Sequence, residues 1–228
     1  MPAEGVFHNC VIVSIDKRYP MQSRRIMSAL WGLGQMSFVK IIITVDSKVN
    51  VHDYEEVAKI LLSTVDFKTD LFFSEGILDV LNHASDQVLY GSKLGIDLTS
   101  KIEGEPGYGK EVPALIETKS LPRPEKITEA FKEVKTCQIL ELQAPILLVA
   151  LDKQTINQGS KFIDAFLVHP EFSAIEIVVV LESHVDLTNI SIVMWKLFNN
   201  LDPKRDFYFK NNRLGIDVTK KLTEEGYQ

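Results

Sequence analysis

The sequence predicts an α/β protein built from two βαβαβ repeats, with a mostly parallel or mixed sheet flanked by helices. Strand-length apolar runs alternate with amphipathic, helix-length segments, and this alternation requires crossover connections between parallel strands. One such run also occurs twice. Residues 11–17 (VIVSIDK) return as residues 146–153 (ILLVALDK), with an offset of 136 (152 minus 16) between the two aspartates. A repeat of this kind constrains the architecture of the whole chain.

The first repeat begins with a strand over residues 10–15, a short β-branched run of the type buried on both faces of a sheet. A helix follows from Met21 to about Leu33, because its apolar residues recur at helical spacing. Residues 38–45 form the second predicted strand. Asp53 then provides an N-cap for a second helix with an acidic first turn, and residues 71–73 form a shorter third strand.

The second repeat has the same order of elements. Strands are predicted over residues 145–151, 175–181 and 207–209, with helices over 159–168 and 188–199. The motif Gly-Ile-Asp-x-Thr occurs at residues 95–99 and again at 215–219, where the offset falls to 120 (215 minus 95). The first repeat therefore contains about sixteen extra residues (136 minus 120) before this motif.

These patterns divide the chain into three parts. Residues 1–105 form the first α/β repeat, residues 106–144 a connecting segment, and residues 145–228 the second repeat. The connecting segment is rich in glycine and proline, which favour turns and loops. Within it, residues 127–134 are suited to a short amphipathic helix.

Composition narrows the class of protein. The net charge of -6, with 45% apolar and 25% charged residues, is typical of a globular protein and argues against a nucleic-acid partner. Cys10 and Cys137 stand alone in apolar surroundings, which indicates buried thiols rather than a zinc site. No apolar run is long enough for a membrane span, and residues 1–5 do not resemble a signal peptide, so we expect a cytoplasmic protein.

Two Asp-Lys pairs are the candidate ligand-binding residues: Asp16 with Lys17, and Asp152 with Lys153. Both pairs follow a predicted parallel strand, and open α/β sheets bind ligands at the carboxyl edge of such strands. Each pair could hold a phosphate or a carboxylate. The alternative is that they are solvated strand-end charges, and their repetition favours this structural interpretation.

The repeated Gly-Ile-Asp-x-Thr motif has two interpretations of the same kind. Its Asp and Thr can hydrogen-bond nearby backbone in a turn, which the repetition favours, or Asp97 and Asp217 could bind a cation or a hydroxyl group. The five histidines have no spacing for a metal or a nucleophile pair, and there is no phosphate-binding loop or nucleophile elbow. The residues themselves therefore indicate no catalytic, cofactor-binding or metal-binding set.

Several segments taken together resemble the C-terminal region of the UbiD family, the decarboxylases related to 3-polyprenyl-4-hydroxybenzoate carboxy-lyase. The matching segments in the first repeat are residues 2–9 (PAEGVFHN), 14–20 (SIDKRYP), 29–36 (ALWGLGQM) and 91–99 (GSKLGIDLT). The second repeat is similar to the extension found in longer family members. One departure is clear: many members have Tyr-Pro-Gly-His where this chain has Tyr19-Pro20-Met21-Gln22.

The resemblance implies a part of an enzyme. Family members use prenylated flavin mononucleotide with a divalent metal and potassium to decarboxylate aromatic or unsaturated acids. Their Glu-Arg-Glu set and metal ligands precede the region matched here, so the chain alone is expected to hold no cofactor and to be inactive. The expected partners are the flavin-binding catalytic domain of the same protein and further copies of the chain. The alternative is a stand-alone module that binds small carboxylates or phosphates through its Asp-Lys pairs.

Overall fold

The computed structural model describes residues 8–109, 121–142, 144–222 and 225. The chain forms two compact units, Met1–Leu115 (unit 1) and Ile116–Gln228 (unit 2). Each unit contains its own mixed sheet, and helices pack against it. The predicted α/β class is confirmed.

Unit 1 has a four-stranded sheet in the order β1-β2-β4-β3. Strands β1, β2 and β4 are parallel, and β3 pairs antiparallel with β4. The carboxyl ends of the three parallel strands therefore lie along one edge of the sheet. The elements are β1 (Cys10–Ile15), α1 (Gln22–Trp31), β2 (Ile41–Asp46), α2 (Tyr54–Thr64), β3 (Leu71–Ile77) and β4 (Tyr90–Asp97).

Unit 2 has a five-stranded sheet in the order β5-β6-β7-β9-β8. Strands β6, β7, β9 and β8 repeat the arrangement of unit 1, and β5 is an additional strand that pairs antiparallel with β6. The elements are α3 (Pro124–Ala130), β5 (Val134–Leu140), β6 (Ile146–Leu151), α4 (Gln158–Val168), β7 (Ile177–Glu182), α5 (Ile190–Asn200), α6 (Pro203–Asp206), β8 (Phe207–Lys210) and β9 (Arg213–Asp217).

Two details differ from the predicted βαβαβ pattern. The predicted third strand of each repeat is antiparallel, and the third parallel strand is β4 or β9. The Gly-Ile-Asp part of the repeated motif therefore lies in a strand, although the sequence favoured a turn. The connecting segment supplies α3 and also β5, a strand that the sequence analysis did not predict.

The core of each unit packs a helix closely against the last parallel strand. In unit 1, Met27 of α1 lies against Gly95 of β4, and in unit 2, Ile163 of α4 lies against Gly215 of β9. A Cβ atom at either glycine would come within 2.3 Å of the helix side chain, so any larger residue would require that side chain to move. This contact places the first turn of the helix beside the carboxyl ends of the strands.

Candidate functional site

The strand-end lysines lie at the carboxyl edge of each sheet, beside the segment that follows the last parallel strand. We call this segment the strap: residues 99–105 in unit 1 and residues 219–225 in unit 2, of which 223 and 224 lie outside the described part. Because parallel strands end at the same edge, Lys17 after β1 meets the strap that continues from β4. Lys153 after β6 meets the strap that continues from β9.

In unit 1 the Lys17 ammonium is buried in an ion pair. Its Nζ lies 2.5 Å from Oε2 of Glu105, and the two side chains are only 3% and 2% exposed. Lys17 also donates to Thr99 Oγ1 at 2.9 Å and to the Ser100 carbonyl at 3.1 Å. A lysine ammonium has three protons, so these three acceptors match its full donor capacity.

The Glu105 carboxylate is held by two backbone donors as well. The N–H of Met21 donates to Oε1 at 2.6 Å, and the N–H of Ile102 donates to Oε2 at 3.0 Å. Burial opposes ionisation of this carboxyl, but the bonds from Lys17 and from the two N–H groups outweigh it and lower its pKa. The strap is thus fastened to the start of α1 by a charged side chain that favours its ionised form.

Unit 2 repeats this lysine-centred arrangement. Nζ of Lys153 lies 2.6 Å from Oε2 and 2.9 Å from Oε1 of Glu225, and the two side chains are buried. Lys153 also donates to the Lys220 carbonyl at 2.9 Å and contacts Thr219 Oγ1 at 3.4 Å. Each acceptor occupies the position of its counterpart in unit 1, with an offset of 120 between the straps.

The Glu225 carboxylate also receives the same backbone donors. The N–H of Asn157 donates to Oε1 at 2.5 Å, and the N–H of Leu222 donates to Oε2 at 2.6 Å. Burial again opposes ionisation, and the bonds from Leu222, Lys153 and Asn157 lower the pKa of Glu225. We call the two arrangements latch 1 (Lys17, Met21, Thr99, Ser100 and Glu105) and latch 2 (Lys153, Asn157, Thr219, Lys220 and Glu225).

The backbone donor of each latch comes from a residue in the left-handed conformation. Met21 has φ 62° and Asn157 has φ 56°, and each immediately precedes α1 or α4. The left-handed region favours glycine and tolerates asparagine. The left-handed conformation explains why glycine suits this position in the Tyr-Pro-Gly-His segment of the resembling family, where this chain has Met21. Sequence reasoning noted that departure but not its conformational reason.

A second repeated cluster lies next to each latch. In unit 1, Lys101 Nζ lies 2.7 Å from Asp70 Oδ1 and 3.7 Å from Asp97 Oδ2. The counterpart in unit 2 places Lys221 Nζ 3.2 Å from Asp206 Oδ1 and 2.9 Å from Asp217 Oδ2. These pairs connect the strap to Asp70, directly before β3, and to Asp206, at the end of α6 directly before β8.

The aspartate of the repeated motif supports its own strap. Asp97 Oδ1 accepts from the Thr99 N–H at 3.0 Å, and Asp217 Oδ1 accepts from the Thr219 N–H at 3.0 Å. Asp97 also accepts from Ser23 Oγ of α1. The predicted local bonding of the motif is present, and in the structure it directs the chain from the strand into the strap.

The structure separates the two members of each predicted Asp-Lys pair. Asp16 is exposed and pairs with Arg18 at 2.8 Å, whereas Asp152 is exposed and accepts from Gln154 at 3.0 Å. Neither aspartate contributes to its latch. The lysines are buried in the latches, and an external ligand for them remains a prediction.

Sequence reasoning missed Glu105 and Glu225, although the sequence contains a signal for them. Their offset of 120 equals that of the repeated motif, so extending the repeat comparison beyond Thr99 would align them. The burial of the two lysines has no comparable signal, because it depends on how the strap folds back onto the sheet.

The two latches do not offer the free donors that the phosphate of a flavin, the cofactor implied by the family resemblance, would need. A flavin phosphate is bound by cations and N–H groups with free donors. In the latches, the lysine protons and the N–H groups of Met21 and Asn157 are already directed at Glu105 and Glu225. Within residues 8–109, 121–142, 144–222 and 225, no three His, Cys, Asp or Glu side chains are grouped to hold a metal ion.

The duplicated scaffold and its latches define a class of α/β domain that occurs twice in one chain. The model of the 3-octaprenyl-4-hydroxybenzoate carboxy-lyase C-terminal domain matches residues 1–98 and 123–224, so a match falls on each unit. The chain therefore belongs to the UbiD family and corresponds to its C-terminal region.

Related proteins are longer than this chain. An uncharacterized Helicobacter pylori protein (strain J99) is 32% identical over 232 residues, covering 97% of this chain and 35% of its own length. The chain thus spans about a third of that relative.

Two solved structures give shorter matches. The vanillic acid decarboxylase of Sedimentibacter hydroxybenzoicus is 26% identical, over 55% of this chain and 26% of its own, with a TM-score of 0.42. An evolved dimeric form of the UbiD-class enzyme HmfF from Pelotomaculum thermopropionicum, in complex with prFMN, is 19% identical. The match covers 43% of this chain and 24% of that one, with a TM-score of 0.38.

In the described part of this chain, the helices are too short or too polar to cross a membrane.

Proposed function

We propose that this chain is the non-catalytic assembly part of a larger UbiD-like decarboxylase. Its partners are the flavin-binding catalytic domain of the same protein and further copies of the chain, in the cytoplasm. The parent enzyme acts on aromatic or unsaturated carboxylic acids, of the type processed in ubiquinone biosynthesis. Prenylated flavin mononucleotide, a divalent metal and potassium belong to the catalytic domain.

The observation that carries this proposal is an apolar surface on the extra segment of unit 1. The connection between β3 and β4, together with the strand residues at its two ends, exposes six large apolar side chains: Ile77, Val80, Leu81, Val88, Leu89 and Tyr90. In unit 2 the same connection is a short turn through Asn211 and Asn212, both at positive φ. Clustered apolar exposure of this kind is typical of protein interaction surfaces.

The polar interior supports a structural rather than a catalytic role. The buried charges at the carboxyl edges, where an α/β enzyme would place its chemistry, are paired within the unit. The family match adds that this region is the C-terminal domain of a carboxy-lyase.

Self-association is the first test. We expect the purified chain to form oligomers in size-exclusion chromatography with light scattering, and Val88→Glu to shift it toward monomer. Val88 is 82% exposed, so a charge there blocks an apolar contact without disturbing the core. Val168→Glu, at the exposed end of α4, is the matched control on unit 2. A wild-type chain that is monomeric at micromolar concentration would contradict the assembly role.

Flavin binding is the second test. After incubation with prenylated or unmodified flavin mononucleotide and gel filtration, we expect no stoichiometric flavin absorbance from the 228-residue chain. Decarboxylation of aromatic acids should be absent as well. Stoichiometric flavin retention would show that the chain contains a cofactor site of its own.

A further inference from the structure

We propose that each latch is a carboxylate-binding site that the chain fills with its own glutamate, and that a small monocarboxylate can occupy the site when that side chain is removed. This inference does not depend on the assembly role. It gives the strand-end lysines the ligand chemistry that their position predicts, with the occupant supplied by the strap.

Two of the donors to each carboxylate, the lysine ammonium and the N–H that precedes the first helix, belong to the framework, and the strap adds one N–H of its own, from Ile102 or Leu222. In latch 1, Lys17 follows β1 and Met21 precedes α1, and they bind different oxygens of the same carboxylate, Oε2 at 2.5 Å and Oε1 at 2.6 Å. Two donors directed at two oxygens match a planar carboxylate, and the negative charge of the carboxylate strengthens both bonds. The left-handed conformation of Met21 aims its N–H at the carboxylate oxygen.

The second unit builds the same site with different side chains. Lys153 binds Oε2 at 2.6 Å and Asn157 N–H binds Oε1 at 2.5 Å, so a backbone group again supplies the second donor. Met21 and Asn157 differ in size and polarity but share the left-handed conformation. The backbone geometry at this position is therefore repeated although the side chain is not, as expected if binding of the carboxylate fixes the backbone conformation.

A carboxylate that is tethered to the strap competes strongly with one from solution. Short tethers correspond to effective concentrations in the millimolar range or above, so dilute small acids do not displace Glu105 or Glu225 from the native chain. Removing the carboxylate by Glu105→Ala leaves Lys17 buried without its counter-ion. Acetate has the same two carbons and two oxygens as the group that this substitution deletes.

Glu105→Ala in the full chain is the test in unit 1. Amide protection of β1 and α1 is measured by hydrogen exchange in sodium acetate and in sodium chloride of equal ionic strength and pH. At an acetate concentration ten times its dissociation constant, a filled site should raise protection about 11-fold. Glu105→Gln, which fills the space without a charge, should give equal protection in both salts, and so should the double variant Lys17→Met/Glu105→Ala.

Glu225→Ala provides the same comparison for β6 and α4 in unit 2. If either alanine variant is unfolded in chloride, folding in acetate is the expected result, and a variant that stays unfolded in both salts counts against the proposal. Equal protection of both alanine variants in acetate and chloride overturns it. Phosphate that matches or exceeds acetate would overturn the carboxylate assignment, because it would show a general anion site.

Discussion

The two units agree at the carboxyl edge of the sheet and differ at its periphery. Both have the latch, the neighbouring aspartate–lysine cluster and a glycine beneath the first helix. Unit 2 adds β5 beside β6, whereas unit 1 has β1 at the edge of its sheet and an apolar connection between β3 and β4.

Burial shows the consequence of this difference. In β6, residues 148–150 are all buried, because β5 pairs along the strand. The equivalent residues 12–14 of β1 are half-buried or exposed. The shared parts are what the fold itself requires, and the differences leave unit 1 with the more accessible apolar surface, which supports a role in assembly.

The largest expected difference between the units concerns the aspartate beside the latch. Asp206 is fully buried between Arg205, with Nε 2.8 Å from Oδ1, and Lys221 at 3.2 Å. Asp206→Ala removes one partner from both cations and leaves the buried Lys221 with Asp217 as its carboxylate partner, so the substitution should cost about 3–5 kcal/mol. Asp70→Ala should cost less, about 1–3 kcal/mol, because Lys101 is 21% exposed and can return to water.

Urea unfolding of the full chain, with hydrogen exchange to assign the affected unit, measures both changes. Asp206→Asn and Asp70→Asn are controls that keep the size of the side chain. Equal costs in the two units would show that the extra burial of Lys221 has no energetic consequence.

Substitution of the glycine that packs against the helix should destabilise unit 2 more than unit 1. An added Cβ at Gly215 would meet Cγ2 of Ile163, a β-branched side chain with one preferred rotamer in a helix. At Gly95 it would meet Sδ of Met27, which is unbranched and adapts more readily. We expect Gly215→Ala to cost about 3 kcal/mol and Gly95→Ala about 1 kcal/mol in urea unfolding.

Ile163→Leu removes the clashing methyl group, so it should partly restore the stability of Gly215→Ala. A Leu substitution that leaves the cost unchanged would mean that the damage comes from the remaining close contacts with Cβ and Cγ1 of residue 163, both 3.3 Å from the added Cβ.

The repeat and the fold class could be predicted because they depend on local patterns. The runs that form β1 and β6 are apolar, and each is followed by an Asp-Lys pair. The two pairs are 136 residues apart (152 minus 16), and this offset aligns the two units. The direction of β3 could not be predicted, because nothing in Leu71–Ile77 distinguishes an antiparallel strand from a parallel one. Strand direction is fixed by the connection to β4, which is a non-local property.

The site was predictable only in part. The position of Lys17 at a sheet edge followed from the strand pattern, and the edge is where the structure places it. Its burial depends on Glu105, which is 88 residues away in sequence. An ion pair of that separation forms only after the strap has folded back, so strand-end charge alone suggests solvent exposure.

The stability of the two units should depend differently on pH because of Lys93, a buried lysine in β4. Lys93 donates to the carbonyls of Ser37 at 2.8 Å and Val39 at 2.7 Å, and burial lowers its pKa to about 8. The unfolded chain, with a value of 10.5, holds this proton more tightly than the folded chain. Unit 1 should therefore gain stability as the pH rises above about 8, by about 1 kcal/mol between pH 7 and pH 9.

Arg213 occupies the same position in unit 2 and stays charged over this range. Lys93→Arg is therefore the matched variant, and it should abolish the gain. Urea unfolding at pH 7 and pH 9, followed by the fluorescence of Trp31 in a Trp195→Phe background, measures the effect. The same gain in Lys93→Arg would assign it to other groups.

The smallest expected effect is a stabilisation at the start of the first helix. Met21 adopts φ 62°, a left-handed conformation that costs a residue with a Cβ about 1 kcal/mol. Met21→Gly should relieve this cost while keeping the N–H that binds Glu105, for a net gain of about 0.5 kcal/mol in urea unfolding. Asn157→Gly should gain less, since asparagine tolerates this region. Met21→Ala retains the Cβ and should give no gain, so stabilisation by alanine would assign the effect to the methionine side chain rather than to the backbone.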